Sequence, residues 1–116
     1  MEKRRRIIYF QNYFIDFFNG QSERIKDKID YVLFLVNVSE RIPKRFFKYL
    51  KGTKGLYEIR IEYGGNIYRI FCCIDEGDIM VLFNGFQKKS EKTPLQEIKK
   101  AMKIKKAYFN LKNRKT

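Results

Sequence analysis

Two runs of alternating apolar and polar residues dominate the hydrophobic pattern of this chain. They are Leu56-Tyr-Glu-Ile-Arg-Ile-Glu-Tyr63 and Asn66-Ile-Tyr-Arg-Ile-Phe-Cys-Cys-Ile74, and Gly64-Gly65 stands between them. A Gly-Gly pair between alternating runs is a strong signal for a two-residue hairpin. With Gly64 and Gly65 as the turn, Tyr63 pairs with Asn66, and Arg60 falls directly opposite Arg69. Glu58 and Glu62 share the face of the two arginines. Tyr57, Ile59, Ile61, Tyr68, Ile70 and Cys72 make the other face, which reads as core. A three-residue turn would instead send Arg69 to the opposite face.

The flanking pattern predicts further elements. Arg5 to Tyr9 reads as a short first strand behind a basic tail. Tyr13, Phe14, Phe17 and Phe18 recur at helical spacing up to Asn19-Gly20. Ser22 then caps a helix whose stripe is Ile25, Ile29, Val32, Leu33 and Val36. These aromatic and aliphatic residues read as core, with base stacking the lesser alternative for an exposed ring. Pro43 is expected to open a short helix carrying Phe46, Phe47 and Leu50 inward and Lys44, Arg45, Lys48 and Lys51 outward. Asp75-Glu-Gly-Asp78 is a turn signal and Ile79 to Phe83 a short apolar strand. With Glu76-Gly77 as its turn, Asn84 comes level with Arg69. Thr93-Pro94-Leu95-Gln96 has the form of a capping box with proline in the first helical position. The last helix would bury Leu95, Ile98, Met102 and Phe109 and line its other sides with lysines. The order is strand, two helices, a short helix, three antiparallel strands and a helix. It predicts one α+β domain over residues 1–116. An antiparallel sheet would carry the N-terminal helices on one face, followed by the C-terminal helix, with its other face basic and concave.

Charge changes the meaning of the arginine pair. Like charges directly opposite each other on paired strands cost a few tenths to about 1 kcal/mol. Either Glu58 and Glu62 neutralise them on a solvated face, or a bound phosphate does. The chain of 116 residues carries a formal net charge of +13. Residues 85–116 hold eleven Lys/Arg against two acids, and residues 41–60 hold seven against one, whereas residues 61–84 hold one against four. Positive charge clustered on the flanks of a sheet is the footprint of a nucleic-acid binder. A membrane surface is the competing polyanion. No apolar run approaches the ~20 residues needed to span a bilayer, and Ile7 to Phe10 is too short for a signal-peptide core. The expectation is a soluble, cytoplasmic protein.

There is no histidine, so no Ser-His-Asp triad, Cys-His pair or His-ligated metal can be built. Cys72 and Cys73 are adjacent in a strand and point to opposite faces. One is expected in the core and the other partly exposed. Neither a disulfide framework nor a metal-ligand spacing is visible, and no cofactor or metal is called for.

Three segments resemble the phage-derived HigB-like branch of the RelE/ParE toxin superfamily. They are Gly52-Thr-x-Gly55-Leu-Tyr-Glu-Ile-Arg60, Ile67-Tyr-Arg-Ile-Phe71 and Phe83-Asn-Gly-Phe-x-Lys-Lys-x-x-Lys-Thr-Pro94. The likeness runs from about Gly52 to Tyr108 and rests upstream on element order. It implies a RelE-like fold and the toxin of a type II toxin–antitoxin system. Such a toxin enters the A site of the 70S ribosome and cuts mRNA without metal, by attack of the ribose 2′-hydroxyl on the adjacent phosphate. It also implies a small helix-turn-helix antitoxin as partner. Arg60 and Arg69 fall on sheet positions where relatives carry functional basic residues. Lys88, Lys89 and Lys92 fall in the basic segment where relatives place another.

Chemistry and resemblance meet at this point. Two guanidiniums on a rigid hairpin can face the charge that builds on a phosphorane, and arginine stays protonated at any working pH. The general base is not evident. Glu58 is one candidate, set against a structural ion pair with Arg60. Lys48, Lys51, Lys54, Lys89, Lys92 and Lys99 are expected to hold the RNA backbone. Two other readings remain: a ParE-like inhibitor of DNA gyrase, which would not need opposed arginines, and a nucleic-acid-binding module without catalysis.

Overall fold

Both turn glycines between the two long alternating runs adopt positive φ, 58° at Gly64 and 81° at Gly65. This is the backbone a tight two-residue hairpin requires and that glycine adopts without a steric penalty. The computed structural model describes residues 4–114. In chain order the elements are β1 (Arg6–Tyr9), α1 (Tyr13–Asn19), α2 (Glu23–Val38), β2 (Phe47–Tyr49), β3 (Tyr57–Tyr63), β4 (Asn66–Asp75), β5 (Ile79–Lys88) and α3 (Leu95–Arg114). The strands form a single sheet in the order β1-β5-β4-β3-β2. Strands β2 to β5 are antiparallel, and β1 joins β5 in parallel. The expected α+β architecture holds, with a mixed sheet in place of a purely antiparallel one.

The two faces of the sheet bury separate cores. On one, Phe14 of α1 and Ile29, Val32 and Val36 of α2 pack on Ile59, Ile61, Tyr68, Ile70, Cys72, Met80 and Leu82. On the other, Ala101 and Ile104 of α3 pack on Leu56, Phe71, Cys73, Val81 and Phe83. The face expected to be open is therefore half covered by α3. That covering buries Cys73 as completely as Cys72, where partial exposure of one was expected. It also shifts the α3 stripe: Ala101 and Ile104 are buried, whereas Leu95 is 63% exposed.

Polar contacts fix the helix ends. The Ser22 hydroxyl accepts from the Ile25 N–H at 3.4 Å, capping α2 as expected. At its other end Arg5 donates to the carbonyls of Val36 and Ser39 at 2.8 and 2.5 Å, a cation against orphan carbonyls. The C-terminal half of α3 is fastened to the β4–β5 turn. Asp75, 5% exposed, accepts from the Tyr108 hydroxyl at 2.7 Å and from the Lys112 ammonium at 2.8 and 3.0 Å.

Two expectations fail locally. Pro43 opens a turn, closed by the Phe46 N–H on the Pro43 carbonyl at 2.9 Å, and the chain then becomes strand β2. The free edge of β3 offers hydrogen-bond partners that an isolated helical turn would lack, and Phe47 stacks on Tyr57 with ring centroids 4.8 Å apart. The second failure is register. Three residues, Glu76 to Asp78, separate the paired Asp75 and Ile79, and a bulge follows on β5, where Phe83 and Asn84 together oppose Phe71 between the pairs Cys72–Leu82 and Ile70–Gly85. Each slips the pairing by one residue. Phe86, not Asn84, faces Arg69.

Candidate functional site

The β3–β4 register places Arg60 directly opposite Arg69, with Glu58 one alternation away on the same face. Lys48 pairs with Glu58 from β2. After the bulge, Lys88 pairs with Ile67 from β5, and this puts it on the Arg69 side of the sheet. Four cations thus converge on one carboxylate. Next to the bulge, at Gly85, any Cβ would overlap the ring of Phe17 from α1.

Exposure divides these residues into two layers. Glu58 and Arg69 are buried, at 3% and 2%. Arg60 retains 29% of its side-chain exposure, Lys88 is half-buried and Lys48 exposed. Glu58 Oε1 lies 3.3 Å from Nε of Arg60 and 3.6 Å from Nε of Arg69. The like-charge opposition read from the hairpin is therefore real, and Glu58 relieves it from within. Glu62 is exposed, forms no salt bridge among the described residues and adds a smaller share through its charge on Arg69. Arg69 also donates to the carbonyl of Tyr68 at 3.1 Å. Among the described residues Glu58 Oε2 and the Nε atoms of both arginines have no hydrogen-bond partner. These ion pairs therefore hold by charge without aligned hydrogen bonds at the buried Nε atoms.

The electrostatics follow from this crowding. Burial lowers the pKa of Arg69; Glu58 opposes the shift and Arg60 adds to it. Arginine stays charged nonetheless. Burial also lowers the pKa of the Lys88 ammonium, and the positive charges of Arg69, Arg60 and Lys48 push the same way against Glu58. Both cysteines are poor nucleophiles: burial raises the thiol pKa of Cys72 and brings that of Cys73 up to about 11.

The other expected contacts are dispersed. Lys51 and Lys54 are exposed between β2 and β3, and Lys89 and Lys92 are exposed after β5. Lys99 is exposed on α3. The charges acting on Lys88 are those of Arg69, Glu58, Arg60 and Lys48, which separates a compact centre from this wider basic surface. Asn84 is buried and donates to the carbonyl and carboxylate of Glu97 at 3.2 and 3.1 Å. It anchors α3 and is not level with the arginines. The sequence reading missed Phe86, which takes that place opposite Arg69 and packs on Phe71 at 5.3 Å. The longer turn and the bulge, both invisible in the alternation, together put it there.

The sequence matches the family model described as phage-derived protein Gp49-like (DUF891) over residues 16–106. No curated protein sequence matches the chain. Its fold is similar to a chain of the archaeal RelE–RelB complex from Pyrococcus horikoshii OT3. The TM-score is 0.55 at 11% identity, over 73% of this chain and 96% of that one. It is also similar to a chain of the RelB–RelE antitoxin–toxin complex from Methanococcus jannaschii. There the TM-score is 0.53 at 20% identity, over 75% of this chain and 99% of that one. The fold is RelE-like.

Proposed function

The chain belongs to the phage-derived Gp49-like family, and from that premise we propose that it is the toxin of a type II toxin–antitoxin pair, an endonuclease that cuts mRNA on the ribosome. The observation that carries this reading is the convergence of Arg60, Arg69, Lys88 and Lys48 around the buried carboxylate of Glu58. A site rich in fixed cations suits a reaction that builds negative charge on phosphorus.

In this reaction the ribose 2′-oxygen bonds to the adjacent phosphorus as the bond to the 5′-oxygen breaks. The products are a 2′,3′-cyclic phosphate and a 5′-hydroxyl. Lys88, which β5 places on the Arg69 side of the sheet, acts in its neutral form as the base that takes the 2′-hydroxyl proton. Water protonates the departing 5′-oxygen. Arg60, the more exposed guanidinium, meets the charge on the non-bridging oxygens. Arg69 and Glu58 are withdrawn from substrate and act as positioning residues: Arg69 holds Glu58, and Glu58 holds Arg60. Lys48, Lys51, Lys54, Lys89, Lys92 and Lys99 bind the RNA backbone over a wider surface. Such binding weakens steeply with salt.

Both structural neighbours come from complexes of a toxin type with RelB, which supports a cognate antitoxin for this chain as well. A net charge of +13 favours an acidic partner segment. In-vitro translation with primer extension on the message tests the whole reading. Cuts within codons that need ribosomes, and that disappear with Arg60→Ala and Lys88→Met, are the expected result. Intact message together with broken DNA trapped on gyrase would overturn it in favour of a ParE-like activity.

A further inference from the structure

A cavity of about 110 Å³ opens at the rim of the sheet, lined by Lys28, Arg45, Phe46, Arg60 and Glu62. It exists because β2 is short. The last bond along that edge runs from the Arg60 N–H to the Phe46 carbonyl at 2.8 Å, and upstream of it the chain turns away at Pro43. Lys28 reaches the gap from α2, which packs on the opposite face of the sheet. Arg45 reaches it from the turn, with its guanidinium 4.6 Å from the Phe46 ring centroid.

Three cations and one carboxylate line this small space. Among the described residues Lys28, Arg45 and Glu62 form no salt bridge, while Arg60 is paired to Glu58 on its other side. The Lys28 ammonium lies 5.4 Å from the Tyr31 ring centroid. Such crowding of positive charge is offset by an anion. The space holds several waters, enough for a phosphate group.

We propose that this rim cavity is a second phosphate site, which takes the phosphate next to the scissile one on a single RNA strand. Arg60 borders both places and so links them: its Nε faces Glu58 in the cationic centre, and its side chain lines the cavity. The strand would cross the sheet edge between the β2 turn and α2. The identity of the strand rests on the RNA-cleaving reading above; the phosphate site itself does not need cleavage.

Two measurements on the intact protein test it. Titration with inorganic phosphate should move the amide NMR signals of Phe46 and Arg60, and the double variant Lys28→Gln/Arg45→Gln should abolish those shifts. With a single-stranded RNA hexamer, the slope of log affinity against log salt should flatten by about 0.7 in the same variant, one phosphate contact on a single strand. Lys28→Arg/Arg45→Lys should retain the slope, and thermal unfolding verifies that both variants fold. Unmoved signals at the cavity, or an unchanged slope in the folded Gln variant, would overturn the proposal. If wild-type protein binds phosphate there and cuts no RNA, the cleavage reading fails and the phosphate site stands.

Discussion

Glu58 Oε1 lies 3.6 Å from Nε of Arg69, and both side chains are almost wholly withdrawn from water. On the hairpin alone, losing either arginine relieves repulsion and leaves stability unchanged or raised. The buried carboxylate reverses that for Arg69, because its removal leaves a desolvated charge with one loose partner. Arg69→Ala should cost about 3 kcal/mol, the low end for breaking a buried pair, since Arg60 remains. Arg60→Ala, at the partly exposed position, should cost under about 1 kcal/mol and still abolish cleavage. Urea unfolding of the two variants checks the contrast; equal stability would show that Glu58 does not need Arg69.

Lys88 separates binding from proton transfer. Lys88→Arg keeps a positive charge but cannot become neutral at working pH. Ribosome binding should hold within about twofold while cleavage falls about 10²-fold or more, the scale of a general-base contribution. Parallel loss of binding and cleavage would assign Lys88 to backbone contact alone.

The close approach of Phe17 to Gly85 has a stability signature. Gly85→Ala forces a methyl group into the ring, so one of the two must shift. Overpacking of this kind costs about 1–3 kcal/mol. Because α1 then presses on the strand that carries Lys88, cleavage should fall as well. Thermal unfolding and cleavage rates measured together check this, and a fully stable, active variant would contradict it.

Asp75 sets an acid limit on the clasp of α3. Burial alone would raise its pKa, but hydrogen bonds from Lys112 and Tyr108 and the Lys112 charge outweigh burial and hold it below the ordinary carboxylate value. The folded protein thus binds this proton less readily than the unfolded chain. The contribution is fully present above the unfolded value of about 4 and is lost as pH falls through the folded value. Wild-type stability should drop across that acid window, and Asp75→Asn should flatten the drop while being less stable at neutral pH. Coincident pH profiles for the two proteins would rule the clasp out.

The period-two alternation around Gly64-Gly65 was enough to determine the β3–β4 hairpin, its inward face and the opposition of Arg60 to Arg69. A two-residue turn leaves no freedom of register, and a slip would have exposed the core residues Ile59, Ile61 and Ile70. The Ser22 cap and the Ile29, Val32, Val36 stripe were equally local and equally legible. What the alternation could not carry was decided between elements. β2 is a strand because β3 had an edge to satisfy. Lys88, not Asn84, joins the cationic centre because a longer turn and a bulge, fitted around Phe17 and Gly85, each moved β5 by one residue. The burial of Glu58 between two guanidiniums arises only when β2 and β4 flank it on either side of β3, because desolvation is a property of neighbours that no residue carries in its own type.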